Sequence, residues 1–500
     1  MKCPKFASIG LLALLCLTAC LPIPQRNYDF NLAAPLYTLD PSQVSVESNT
    51  VAGYLEANTP ASLNQSSYLR YFPPSNANSV EKTAFKDITK SKSILLMVPG
   101  IFGGAMGFDL LARDLVASQE GLEVWALDRR SNQLEDREAI LKAFEERKPA
   151  LAFEGYQNFQ PLSPKDLDFM RYWGLKVHLE DLHQVVLAAR TQADKVYLLG
   201  HSLGASLVSF YAAYKPEADP ERAGQDFLDG LILLDGVLGR TGAYGGIEVA
   251  DIDILPSQAH APTLELSPPV LENFGLDVYL QLPGLFGPKT FFKSDVMALY
   301  SYISPQEISP FYDFPISNEA AFALEHDNTY GPSTVFSASL GQSQDARYDG
   351  NILPVLLGGL AGVYSRSVVG VEAGKSLVTW DNAGALCNLR EYSSLWLGVY
   401  SDFNEWYFPS QLLFEMASYD LPLGMGPFIA NQNLDLPTLA IGAERGLVQN
   451  LEGFRAYQNA RAPAGLQQMV SYIMPQMAHL DLLCHKANPL VSLIQLWLNP

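Results

Sequence analysis

At 500 residues the chain exceeds the size at which one core usually stops growing, so a main body joined to a large insertion or second domain is predicted. Apolar residues make up 48% and charged residues 17%, enough for a sizeable core and too little charge for a disordered chain. A formal charge of −20, from 53 acidic against 33 basic residues with no Lys/Arg cluster to relieve it, excludes a nucleic-acid backbone as partner.

Residues 1–19 have the form of an export signal: Lys2 and Lys5, the apolar run Ile9 to Leu17, then Thr18 and Ala19. The run is too short to cross a bilayer comfortably. Leu17-Thr18-Ala19-Cys20 resembles the lipobox of bacterial lipoproteins. That resemblance implies cleavage before Cys20, its acylation, and attachment of the chain to the cell envelope through a lipid anchor. Leu21, where an Asp would direct otherwise, implies the outer membrane if the source is Gram-negative. Cys3 and Cys16 leave with the signal, so Cys387 and Cys484 remain available to each other. An oxidising compartment permits their disulfide, but spacing alone does not give the Cα separation that the bond requires.

Residues 20–67, rich in Asn, Ser and Pro at first, read as a tether. From residue 68 a strand-like run Tyr68 to Phe72 ends at Pro73 and Pro74. Short apolar runs follow at Ile94 to Val98, Leu122 to Leu127, Val196 to Leu199 and Leu231 to Leu234. Such runs, without alternation and closed by breakers, suit strands buried on both faces. Helix-like stretches at Leu175 to Arg190 and Ala205 to Tyr214 lie between them. The alternation predicts an α/β fold with a mostly parallel sheet flanked by helices over residues 68–238. Asp128, Arg129 and Arg130 end one strand and are read as loop organisers. Residues 239–433 lose the rhythm and are too long for a loop, so they are read as a cap or lid insertion with structure of its own. The sheet resumes in residues 434–500 at Leu439 to Ile441 and near Met469 to Met474, and Pro489 to Leu498 reads as a closing helix.

Gly200-His201-Ser202-Leu203-Gly204 follows one of the apolar runs directly and precedes a helical stretch. In that strand–turn–helix setting a Gly-x-Ser-x-Gly pattern presents an exposed serine nucleophile at a sharp turn. The side chain of His201 is expected to point away from that of Ser202. Acyl transfer needs two donors for an oxyanion. The amide of Leu203 supplies one, and the glycine-rich Pro99-Gly100-Ile101-Phe102-Gly103-Gly104 supplies the other, from Ile101 or alternatively Phe102. A serine also needs a base. Of the seven histidines, His479 in Met477-Ala478-His479-Leu480-Asp481 comes after the last strand-like run, with His485 as substitute. Two acids end strand-like runs before it. Glu444 gives the chain order serine, acid, histidine and is preferred; Asp235 is the alternative acid, and Asp481 is read as a local hydrogen-bond partner.

These segments resemble the α/β-hydrolase superfamily, particularly its lipase and esterase members, over roughly residues 68–238 and 434–498. The resemblance implies an α/β-hydrolase fold with a large cap insertion and cleavage of carboxylic esters through an acyl-enzyme. Ser202, His479 and Glu444 would then be catalytic. An apolar cap points to a bulky or lipid-like ester. No cofactor is expected, and no metal-ligand spacing is evident. A hydrolase of amides, thioesters or lactones, or a non-catalytic ligand-binding lipoprotein, are the alternatives. A shared pocket for Ser202 and His479 would favour the enzyme. The sequence does not specify an oligomeric state.

Overall fold

The computed structural model describes residues 35–74, 91–236, 278–281, 286–331, 336–348, 368–418, 427–429, 433–460 and 469–499. Residues 1–19, expected to be an export signal, and Cys20 lie outside the described residues. Among those described, no helix is long and apolar enough to cross a membrane.

In chain order the strands are β1 (Ser45–Ala52), β2 (Gln65–Phe72), β3 (Ser91–Val98), β4 (Leu122–Asp128), β5 (Ala193–His201), β6 (Gly230–Leu234), β7 (Gln342–Gln344), β8 (Ala346–Tyr348), β9 (Val368–Val371), β10 (Thr379–Asp381), β11 (Thr438–Arg445) and β12 (Met469–Ala478). Eight of them form one sheet in the order β1-β2-β4-β3-β5-β6-β11-β12. β1 and β2 run antiparallel to their neighbours, whereas β3, β4, β5, β6, β11 and β12 are mutually parallel. Leu96 at the centre lies opposite Trp125 on one side and Leu198 on the other.

Consecutive residues Ile94 to Met97 in β3 and Ile232 to Leu234 in β6 are wholly buried. A strand can hide successive side chains only if both faces are covered, which is why these sequences are continuous apolar runs. Helix Asp109–Ser118 packs with Pro489–Leu498, and Leu175–Gln192 packs with Leu203–Ala213. Each buried Leu or Ile contributes about 1.5–3 kcal/mol relative to exposure.

The sheet begins earlier than the sequence suggested. Ser45–Ala52, read as tether, is edge strand β1, with Thr50 opposite Ser67. No residue of β1 is fully buried, so it needs backbone pairing but no apolar run.

Between β6 and β11 the described residues form helices Pro288–Ile303, Asn318–His326, Leu389–Ser394 and Ser410–Ser418, with the small sheets β7/β10 and β8/β9. Phe102 of the body packs against Phe286, Phe291, Phe336 and Phe408 of this stretch, ring centroids 5.1–6.2 Å apart. Cys387 and Cys484, with Cα atoms 5.4 Å apart, form a disulfide that ties the same stretch to the segment after β12. Because the parallel strands end at a common edge, the segments after Val98, His201, Leu234, Arg445 and Ala478 are neighbours. In open α/β sheets that edge is where ligands bind.

Candidate active site

β5 runs to His201, and helix Leu203–Ala213 starts one residue beyond Ser202, so the chain reverses on a single residue. Ser202 takes φ 57° and ψ −125°, a conformation that costs on the order of 1–3 kcal/mol outside glycine. Its surroundings hold it there. The Ser202 amide donates to the Leu234 carbonyl at 2.8 Å. A Cβ on Gly200 would collide with the Gly204 carbonyl, and one on Gly204 with the Val98 carbonyl. The small residues around the serine therefore permit strand, turn and helix to close on one another.

His479 immediately follows β12. Its Nδ1 lies 2.6 Å from Asp235 Oδ2, with both side chains buried. An ionised carboxylate only accepts, so Nδ1 carries the proton and Nε2 of the neutral ring has the lone pair. That Nε2 is buried and has no protein partner. His479 and Ser202 line one cleft together with Gly100, Ile101, Phe108, Phe336, Phe403 and others. The sequence places these two residues 277 positions apart, and the common edge of the sheet brings them together.

The acid is where sequence and structure part. Glu444 does not reach His479: its Oε2 accepts from the Gln476 amide at 2.7 Å in an exposed setting. Opposite it the pairing of β11 with β12 is irregular: β11 advances from Ala443 to Arg445 while β12 runs from Met474 to Ala478, and the Gln476 amide in that added length takes up the Glu444 carboxylate. Asp235 instead sits one residue beyond β6 in a left-handed conformation, φ 43°, that aspartate tolerates better than most residues. Its carboxylate accepts from the amides of Ala443 at 3.1 Å, Leu447 at 2.8 Å and Val448 at 2.8 Å as well as from His479. Burial pushes its pKa up, yet the hydrogen bond and charge of His479 and the amides of Leu447 and Val448 outweigh burial and hold it below the ordinary value. Gly446 lies so close that a Cβ there would collide with the Asp235 carboxylate.

His201 also contacts His479. Its ring packs against that of His479, centroids 4.3 Å apart, and it lines the cleft beside Ser202. Its Nε2 donates to the His479 carbonyl at 3.2 Å. Burial, followed by the nearby His479, pushes its pKa down to about 3, so it is a neutral neighbour.

Asp481 accepts from Ser339 N and Oγ and from Ala478 N, at 2.6–2.7 Å, anchoring the His479 turn to the stretch between β6 and β11. His485 donates no ring proton to the serine site; its Nδ1 accepts from the Ala487 amide at 3.1 Å. Cys387, Asp481 and Cys484 cluster within metal-like spacing, but the two sulfurs are engaged in the disulfide rather than present as thiolates.

The amides of Leu203 and Ile101 donate to no protein acceptor among the described residues. Leu203 N belongs to the first turn of its helix, where unsatisfied N–H groups and the helix dipole favour an anion. A Cβ on Gly100 would stand 2.8 Å from Ser202 Cβ, so the backbone of this loop lies directly against the serine. Phe102 has φ 57°, and its carbonyl accepts from the Glu405 amide at 2.8 Å.

Among solved structures, a putative lipase from Sulfolobus solfataricus is similar at 15% identity, covering 93% of this chain and 96% of that one, with a TM-score of 0.49. A soluble variant of monoglyceride lipase from Saccharomyces cerevisiae aligns at 10% identity over 95% of this chain and 98% of that one, TM-score 0.35. A bacterial membrane phospholipase A aligns at 13% identity over 92% and 87%, TM-score 0.37. No curated protein matches. The model of the alpha/beta hydrolase family matches residues 95–384, more than half of the sequence and spanning both the loop after β3 and the serine turn, and the chain belongs to that family.

Proposed function

We propose that the chain is a serine hydrolase of carboxylic esters, lipase- or esterase-like, acting through an acyl-enzyme. One observation supports this above the others: His479 binds Asp235 through Nδ1, keeps Nε2 unpartnered, and lines the same cleft as Ser202. Ser202 Oγ attacks the ester carbonyl carbon and its proton passes to His479 Nε2. The oxyanion takes hydrogen bonds from the amides of Leu203 and Ile101. As the tetrahedral intermediate collapses, the Nε2 proton goes to the leaving alkoxide. Water, deprotonated by the same nitrogen, then attacks the acyl carbon and releases the acid and Ser202. Ionised Asp235 stabilises the imidazolium in both halves, and neutral His201 beside it adds no opposing charge.

Phe108, Phe336, Phe403, Leu480 and Leu483 give the cleft apolar walls, which favours an apolar acyl group. The test is a panel of p-nitrophenyl esters from acetate to palmitate, run on the native protein and Ser202→Ala. The native protein should turn over at least one member, and the variant should lose activity on the order of 10⁶-fold with its unfolding midpoint nearly unchanged. Hydrolysis retained by the variant would refute the assignment.

A further inference from the structure

We propose that Arg129, held by Glu405 of the insertion, is a positioning residue that aims the Ile101 amide at the oxyanion; this rests on the reading of Ser202 as nucleophile. Arg129 directly follows β4, and its side chain is 5% exposed. Nη2 donates to the carbonyls of Pro99 at 2.5 Å and Gly100 at 2.7 Å, and Nη1 to that of Gly103 at 3.2 Å. One guanidinium thus gathers three carbonyls of the loop that lies against Ser202. In a trans peptide the C=O and the following N–H point in opposite directions. Fixing the Gly100 carbonyl on Arg129 therefore turns the Ile101 N–H away from Arg129, toward the cleft that Ile101 shares with Ser202.

Glu405 completes the brace. Its Oε2 accepts from Arg129 Nη1 at 2.6 Å, its Oε1 accepts from Ser131 Oγ, and its side chain is fully buried. Its own amide donates to the Phe102 carbonyl at 2.8 Å, and the neighbouring Phe403 carbonyl accepts from the Gly104 amide at 2.7 Å. Gly103 and Asn404 form an antiparallel bridge. The segment 403–405 is thereby laid along the oxyanion loop as a short pairing strand. A planar guanidinium suits this task because its fork of fixed donors sets several carbonyls at once, which a single ammonium does not. The insertion on this reading supplies part of the catalytic geometry as well as a cover.

The experiment compares Arg129→Lys, Glu405→Gln and the double variant Arg129→Met with Glu405→Met, which removes both buried charges together and so avoids leaving one unpaired. Steady-state kinetics on the best ester, affinity for an alkyl boronic acid that mimics the tetrahedral oxyanion, and thermal unfolding are measured on each. Losing one oxyanion donor outright costs about 10²–10³ in kcat, so a misaimed one should lower kcat by about 10- to 100-fold. KM should change far less, and boronate affinity should fall in parallel with kcat. A role confined to folding would lower the unfolding midpoint while leaving kcat and boronate affinity of the folded fraction unchanged, and that result would overturn the proposal. So would a double variant with native kcat. Arg129→Lys keeps the charge opposite Glu405 and serves as the folded comparison if the double variant is unstable. The two readings fail separately: Ser202→Ala that still hydrolyses ester removes the nucleophile and the brace with it, whereas inactive Ser202→Ala beside fully active Arg129 variants removes the brace alone.

Discussion

Replacing Asp235 by Asn tests the acid through a conflict that the hydrogen bonds make unavoidable. Oδ1 accepts from the amides of Ala443 and Val448, and Oδ2 from the amide of Leu447 and from His479 Nδ1. An asparagine has one acceptor oxygen. If that oxygen stays with Ala443 and Val448, its NH₂ faces Leu447 N–H and His479, and the imidazole must move its proton to Nε2 to accept. The base nitrogen is then occupied. If the amide is flipped, His479 keeps its tautomer but two backbone donors meet the NH₂, and in neither orientation does a negative charge stabilise the imidazolium. The loss in kcat should be on the order of 10⁴-fold, as for a triad acid in a well-studied serine protease, or about 5 kcal/mol of barrier. Stability should fall too, by about 1–3 kcal/mol for each buried donor left unmatched. Glu444→Gln is the control, since Gln still accepts from the Gln476 amide; its activity should be near native and its stability within about 0.5 kcal/mol. Both are assayed by ester turnover and thermal unfolding. A native rate in Asp235→Asn, with a severe loss in Glu444→Gln, would refute the argument.

Asp128 offers a pH test. Burial lifts its carboxyl to about 7 against the opposing hydrogen bonds of Ala105 N and Ser401 Oγ. The folded state therefore retains a proton that an unfolded Asp releases near pH 4, so this contribution is present below about pH 4 and is lost as pH rises to about 7. Asp128→Asn keeps the oxygen that accepts from Ala105 and Ser401, so between those limits it should gain on the native protein by at most a few kcal/mol, at about 1.4 kcal/mol per pKa unit. Identical pH slopes of the unfolding midpoint would contradict this. Reducing the Cys387–Cys484 disulfide, which spans 97 residues, should cost about 2–4 kcal/mol, read as a drop in the unfolding midpoint with dithiothreitol that Cys387→Ser/Cys484→Ser no longer shows. We also propose, from the sequence alone, that Cys20 carries the lipid anchor: Cys20→Ser should release the protein from membranes, and mass spectrometry of the native N-terminus that finds no acyl group would refute it.

The sequence alone carried what depends on neighbours along the chain. Runs such as Ile94 to Val98 reveal doubly covered strands because burial on both faces forbids alternation. Gly200 to Gly204 reveals the serine turn because close approach of strand and helix excludes side chains locally, and His479 follows from its place after the final strand. The shared cleft of Ser202 and His479 is the arrangement that favours an enzyme over a binding protein. What the chain order could not rank was the acid. β6 and β11 are parallel neighbours, so Asp235 and Glu444 both end strands beside the histidine. The choice lies in the Gln476 amide that engages Glu444 and in amides from residues 443, 447 and 448 that converge on Asp235. The same holds for β1, an edge strand with no buried face to mark it. The packing of His201 against His479 depends on a ring brought from 278 residues away. Arg129 and Glu405, 276 residues apart, meet only because residues 403–405 lie along the loop after β3. Local sterics leave a trace in sequence, whereas a buried polar contact between distant segments is settled by the packing that brings its two halves together.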